Sequence, residues 1–239
     1  MSLELCSKYL KVLLRKEKAD LVFKNGFVIN VFTKEIVKSD VAICNGIIIG
    51  VGEFDGKDEI DVSGKYLSPG FVDSHIHFES TLLSPSQMIE EASLCGTTTY
   101  IADPHEVANV CGAKGIDYIL EDTKSANANV LIMLPSCVPS IKTEDNGCVF
   151  DSEKMKHYLD NHRILGLGEV IDLNSVLNLD EEIHKKINMF EICDGHCPNF
   201  DAKQLNAYKL FGICTDHECI DFEQALEEAR LGMQVHIRV

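Results

Sequence analysis

His75 and His77 stand two residues apart at the end of the apolar run Tyr66-Leu67-Ser68-Pro69-Gly70-Phe71-Val72-Asp73-Ser74-His75-Ile76-His77. In an extended strand, residues i and i+2 share a face, so both imidazoles can converge on one divalent cation, and metal-dependent hydrolysis is the chemistry such a pair serves. Imidazole and carboxylate recur just past other apolar runs: Asp103 and His105, then Glu169, then Asp194 and His196, then Asp216, His217 and Glu218. Together they form a candidate ligand set for one or two divalent ions, with Glu169 able to bridge a pair through its two oxygens. Taken singly, each has a plainer use. A strand histidine is more often exposed or hydrogen-bonded than a ligand, a Glu after a strand more often a solvated end, and Asp194-Gly195-His196 or Asp216-His217 could be turns. Their common position at strand ends is what favours a site.

Other chemistries are weaker matches. Cys193-x3-Cys197 with Cys214-x4-Cys219 could make a thiolate zinc site, but the spacings are not the tight C-x2-C of zinc ribbons. His77-Phe78-Glu79 matches the H-x-E half of a cytidine-deaminase signature whose P-C-x-x-C half is absent. No phosphate-binding loop or dinucleotide fingerprint occurs.

The elements that would position these residues follow from periodicity. Leu5, Tyr9, Leu10, Leu13 and Leu14 recur at helical spacing, predicting an amphipathic packing or dimer helix over residues 3–17, and a homo-oligomer is expected. Short β-rich pieces at 20–31, 36–44 and 47–51, with hairpin signals at Asn25-Gly26 and Asn45-Gly46, predict a small antiparallel sheet. From about residue 66, apolar strands near 67–76, 98–102, 130–134, 164–170, 191–195, 213–216 and 233–238 alternate with helical segments 85–94, 113–125, 152–161, 180–189, 202–210 and 222–231. Gly96, Gly212 and Gly232 each follow a helix as a stop would. That alternation predicts an α/β fold of the TIM-like (β/α)8 type, with active-site residues at the C-terminal strand ends. Only seven strands are found in the roughly 170 residues available, against ~250 residues for a complete barrel, so a barrel truncated after about seven strands is expected. The domains divide as 1–65, a helix and partial β-sandwich, and 66–239, the incomplete barrel.

Composition narrows the partners. With 38 acidic and 22 basic residues, the formal charge of −16 argues against nucleic acid or an anionic membrane, both of which require basic surfaces. A small neutral or cationic molecule fits better. Ten scattered cysteines read as reduced, mostly buried residues of a cytoplasmic protein, and no apolar run approaches the ~20 residues of a membrane helix.

The run Pro69-Gly70-Phe71-Val72-Asp73-Ser74-His75-Ile76-His77 resembles the opening barrel strand of the amidohydrolase superfamily, metal-dependent hydrolases on a (β/α)8 barrel beside a small β-sandwich. Phe78-Glu79-Ser80, Ala102-Asp103-Pro104-His105-Glu106-Val107-Ala108-Asn109-Val110, Gly166-Leu167-Gly168-Glu169-Val170, Asp194-Gly195-His196-Cys197-Pro198 and Asp216-His217-Glu218 narrow the resemblance to the adenine deaminase family, from about Ala19 onward. Asp20-Leu21-Val22-Phe23-Lys24-Asn25-Gly26 is similar to that family's first sandwich strand. The resemblance implies hydrolysis of adenine, a small-molecule purine, at two divalent ions, manganese or iron, with zinc an option. By matching position, His75 and His77 would bind one ion, His196 and His217 the other, and Glu169 would bridge them. Asp103, His105 and Glu106 would line the substrate pocket, while Glu169, His217 and Glu218 would serve catalysis. The family's proton-shuttling aspartate follows an eighth strand, so this chain is expected to turn over adenine poorly by itself. Another amidohydrolase activity, on a cyclic amide or an N-acetyl sugar, and a non-catalytic fragment acting through association are the alternatives.

Overall fold

The computed structural model describes residues 2–141 and 143–238, and the chain divides into two compact units, residues 1–69 and 70–239.

In the first unit, helix α1 (Leu3–Leu13) starts at Ser2, whose side chain accepts the Leu5 N–H. It stops short of the predicted 17 because Arg15 adopts a left-handed backbone, φ 55°. Its buried Tyr9 and Val12 pack with Ala19, Val22, Ala42 and Cys44 of the sheet. That sheet contains β1 (Ala19–Asn30), β2 (Glu35–Cys44), β3 (Ile47–Gly52), β4 (Gly56–Asp61) and β5 (Tyr66–Leu67). Strands β1, β2 and β3 pair antiparallel, but β4 and β5 both pair parallel to β1, so the sheet is mixed rather than purely antiparallel. Among the described residues this unit holds that one sheet, and the second layer of a sandwich is not part of it. The two Asn-Gly pairs part company. Asn45-Gly46 makes the β2–β3 hairpin, both residues at positive φ, as a two-residue turn requires. Asn25-Gly26 sits inside β1 as a bulge: Phe23 pairs Val41, Gly26 pairs Ser39, and the Asp40 carboxylate accepts the Asn25 N–H at 2.9 Å.

The second unit is built on seven parallel strands in chain order: β6 (Phe71–Ile76), β7 (Thr97–Ala102), β8 (Asn129–Leu134), β9 (Ile164–Val170), β10 (Cys193–Gly195), β11 (Ile213–Asp216) and β12 (Gln234–Val235). This is the strand sequence of seven consecutive units of a β/α barrel. Register irregularities between β6 and β7, β8 and β9, and on both sides of β10 bend the sheet. The predicted strand 67–76 is in fact two: Leu67 ends β5 in the first sheet, and Pro69-Gly70 breaks the run before β6. Gly70 is small of necessity, since a Cβ there would lie 2.0 Å from the Thr98 hydroxyl.

The connecting helices are α2 (Pro85–Ser93), α3 (His105–Cys111), α4 (Ala113–Asp122), α5 (Ser152–Met155), α6 (Leu173–Leu177), α7 (Glu181–Ile187), α8 (Ala202–Leu210) and α9 (Phe222–Arg230). Asp151, Asp172, Asp180, Asp201 and Asp221 cap α5 to α9 by accepting backbone N–H groups of the first turn. The predicted helix 152–161 is shorter, a single α turn followed by a 3-10 turn at Lys156–Tyr158. The predicted strand at 233–238 is likewise reduced to two residues. Lys186, buried, anchors both ends of the long segment after β8 by donating to the Ser136 and Phe150 carbonyls at 2.8 and 2.7 Å. All ten cysteines are free, with Cys6, Cys95 and Cys111 exposed rather than buried. Among the described residues no helix is long and apolar enough to cross a membrane.

The core lies between sheet and helices, where Tyr100, Ile132, Leu134, Leu167 and Ile213 meet Ile89, Ile116, Ile119, Leu205 and Tyr208. Ile132→Ala on β8 leaves a cavity in this layer and is expected to cost about 2–5 kcal/mol, whereas Leu210→Ala at the exposed end of α8 costs under about 0.5 kcal/mol; urea unfolding midpoints of the two variants check the difference.

Candidate metal centre

Parallel strands bring their C-terminal ends to one edge, and there the imidazoles and carboxylates of the second unit collect. Glu169 on β9 stands in their midst, only 4% exposed. Its Oε1 lies 2.9 Å from Nε2 of both His75 and His77, 3.6 Å from His217 Nε2 and 4.0 Å from His105 Nδ1. Its Oε2 lies 2.8 Å from His196 Nδ1. The two Nε2 atoms of His75 and His77 are themselves 3.0 Å apart.

The outer nitrogens of these rings are held from behind. His77 Nδ1 donates to the Asp103 carbonyl at 2.8 Å, and a carbonyl only accepts, so in the neutral ring that a cation requires it is Nε2 that carries the lone pair. His75 Nδ1 faces Asp194 Oδ2 at 3.0 Å, which favours the same tautomer. His217 stacks on His75 with ring centroids 3.6 Å apart, its Nδ1 3.4 Å from the same Asp194 oxygen. Glu169 Oε1 and His196 Nδ1 are buried without a partner in hydrogen-bond geometry, although each has a close polar neighbour. With the rings neutral, lone pairs face one another across short distances, an arrangement that a shared cation satisfies. Three such triads could each hold an ion: His75–His77–Glu169, Glu169–His196–His217 and His75–Asp194–His217, with Asp103–His105–Glu169 a fourth.

The electrostatics agree. Burial works against the Glu169 carboxylate, yet His196, His217, His75 and His77 together hold it far below the usual carboxylate range. Burial also works against charging His77, but Glu169 and the Asp103 carbonyl push it up to about 9. For His217, Asp194 and Glu169 overcome burial and push it up to about 10. Asp194 is kept anionic by His217 and His75 despite its burial. Buried carboxylates therefore draw positive charge onto these imidazole nitrogens, and a divalent ion competes with protons for the same lone pairs.

Asp103, at the end of β7, ties the strands together. Its Oδ2 accepts the Glu169 N–H at 2.8 Å, its Oδ1 the His105 N–H at 3.2 Å, and its carbonyl the His77 ring. Room for it comes from Gly168, where a Cβ would lie 2.2 Å from Asp103 Oδ2. Ser136 Oγ adds a hydrogen bond to the Glu169 carbonyl.

Of the residues singled out from sequence, His75, His77, Asp103, His105, Glu169, His196 and His217 come together. Glu218 stands at the margin, with Oε1 3.8 Å from His217 Nε2 and paired with Arg238. Glu106 is exposed and reaches Ser80 Oγ at 3.5 Å. Asp216 turns away from the cluster: its oxygens accept the Cys197 and Glu218 N–H groups at 2.7 and 2.9 Å. The four cysteines 193, 197, 214 and 219 form no thiolate group among the described residues. Sequence reasoning places Asp194 at a strand end without seeing that it braces two imidazoles, and gives no notice of His236. The latter follows β12, donates its N–H to the Asp216 carbonyl at 2.7 Å, and has an unpartnered buried Nδ1. The predicted strand at 233–238 enclosed it, and only the observed end of β12 at Val235 puts His236 past a strand end like the others.

Residues 66–191 match the Amidohydrolase family. The chain is 57% identical to an adenine deaminase of Desulfitobacterium hafniense (strain Y51) across 94% of its own length, and 46% identical to one of Clostridium acetobutylicum across 93%. It spans 40% of the length of each of these relatives. In fold it is similar to the zinc complex of atrazine chlorohydrolase from Arthrobacter aurescens TC1, with a TM-score of 0.66 at 14% identity over 90% of this chain and 64% of that one. With the family match covering more than half of its residues, this chain belongs to the amidohydrolase family.

Proposed function

We propose that the whole protein hydrolyses adenine to hypoxanthine and ammonia at a pair of divalent ions, manganese or iron with zinc as the alternative, and that this chain supplies the histidines and the bridging carboxylate. The observation that carries the metal centre is the meeting of His75 and His77 Nε2 over Glu169 Oε1, with His196 at the other oxygen. The substrate rests on the named relatives. The seven-stranded sheet is then part of a closed (β/α)8 barrel, and the mixed sheet part of a β-sandwich, each completed by the remainder of the whole protein.

In this reading His75 and His77 hold one ion, His196 and His217 the other, and Glu169 bridges them. Ions held there would supply Lewis acidity, lowering the pKa of a water toward ~7. Asp194 and Asp103 fix the ring orientations. Ammonia departs only when protonated, and the attacking water must give up its proton. Glu218 Oε1 lies 3.8 Å from His217 Nε2 and the residue is only partly buried, so it is placed to carry that proton between the centre and solvent. A cavity of about 310 Å³ beside the centre, lined by His105, Glu106, Asn109, Cys137, Ser140, Glu144 and Ile171, takes the base. Its carboxylates and the unpartnered Asn109 Oδ1 accept N–H groups of a neutral purine, while Ile171 and Cys137 offer apolar surface to the ring.

Manganese-loaded whole protein is expected to release ammonia from adenine and to leave hydantoin, dihydroorotate and acetylated amino sugars intact; turnover of one of these in place of adenine overturns the substrate assignment. Asp194→Asn removes the charge that braces His75 and His217. It is expected to weaken metal binding by roughly 10–100-fold in calorimetric titrations, and an unchanged affinity would deny Asp194 that role.

A further inference from the structure

We propose that Asp216, Cys219 and Glu228 form a separate cation site, behind the imidazole cluster, that takes a thiophilic divalent ion such as zinc. One ligand atom from each of the three lies within 4.8 Å of the others. Asp216 and Glu228 are both completely buried, on β11 and α9 respectively, and Cys219 lies in the turn that joins those elements. Their hydrogen bonds come from neutral donors: backbone N–H groups of Cys197 and Glu218 to Asp216, and the Gln224 amide, at 3.0 Å, to Glu228 Oε1. No donor reaches Glu228 Oε2, although its residue has no solvent exposure.

Two buried carboxylates facing each other need positive charge between them. Burial and the neighbouring Asp216 push Glu228 up to about 7, so the pair of carboxylates resists full ionisation while it has only itself for company. A proton on Glu228 answers part of that need. A divalent ion answers all of it and explains the thiol, since sulfur selects zinc over the harder manganese and magnesium. On binding, zinc displaces the Cys219 thiol proton and any proton on Glu228 to solvent, leaving one thiolate and two carboxylates around the ion. Such an ion would pin the last turn of α9 to the end of β11, one residue from His217.

Cobalt(II) reads this site apart from the principal centre, because only a cysteine ligand gives a sulfur-to-cobalt charge-transfer band in the near ultraviolet, and the imidazole cluster contains no sulfur. The band is expected on titration of metal-stripped protein, to persist in His75→Ala, and to vanish in Cys219→Ser. Glu228→Gln, nearly isosteric, is expected to raise the cobalt dissociation constant by about tenfold or more, and keeps the test decisive if the serine variant does not fold. Absence of the band at saturating cobalt, or a band that Cys219→Ser leaves in place, overturns the proposal in favour of a proton shared by two acids.

Discussion

A single buried carboxylate sets the terms for the second unit. Glu169 sits where water scarcely reaches, and an isolated carboxylate there would be untenable; it persists because imidazoles from three other strands close on its two oxygens. That requirement dictates the architecture around it. His75, His196 and His217 are 94, 27 and 48 residues from Glu169 in the chain, and only a parallel sheet with its strand ends in one rank brings such distant positions within 4 Å of one carboxyl group.

Rank alone is too coarse, and the finer adjustment belongs to Asp103 and Gly168. The Asp103 carboxylate accepts the backbone N–H groups of Glu169 and His105 and the Asp103 carbonyl accepts the ring of His77, so β6, β7 and β9 are registered through one residue. The contact is possible only because Gly168 has no side chain on the face where Asp103 enters. Asp194 performs the corresponding task for β6, β10 and β11 by lying between the Nδ1 atoms of His75 and His217. The orientations of His75, His77 and His217 are thus imposed from the outer side of each ring, which turns their Nε2 atoms toward Glu169.

What the sequence discloses follows from which forces are local. Spacing of two in a strand placed His75 and His77 on one face, and strand-end position found His105, Glu169, His196 and His217, because pleat and parallel topology are periodic constraints. Asp216 satisfied the same criterion and faces elsewhere: adjacent residues of a strand point to opposite sides, so with His217 inward Asp216 must turn outward. Asn25-Gly26 carries the same turn signal as Asn45-Gly46, yet the strand runs on through it, because Val41 and Ser39 on β2 continue the pairing past the bulge. Helices α3 and α6, seven and five residues long, are too short for a 3.6-residue period to register. The Lys186 anchor is a contact across 50 residues to backbone carbonyls, which no pattern of side-chain types encodes.

The opposite-facing pair Asp216 and His217 gives the acidic cluster its bearing on the imidazole centre. Asp216 accepts the N–H of Cys197, the residue after His196, and that of Glu218, the residue after His217. Its carbonyl accepts the N–H of His236. The backbone beside both of those histidines is therefore held by one buried carboxylate whose own environment includes Glu228 and Cys219. An anion so placed does more than cap a strand end: any change in the charge state of its neighbours alters the strength of two hydrogen bonds that fix where His196 and His217 begin. The two clusters share no side chain, but they share a strand, and the positions of the imidazoles cannot be wholly independent of what the outer cluster holds.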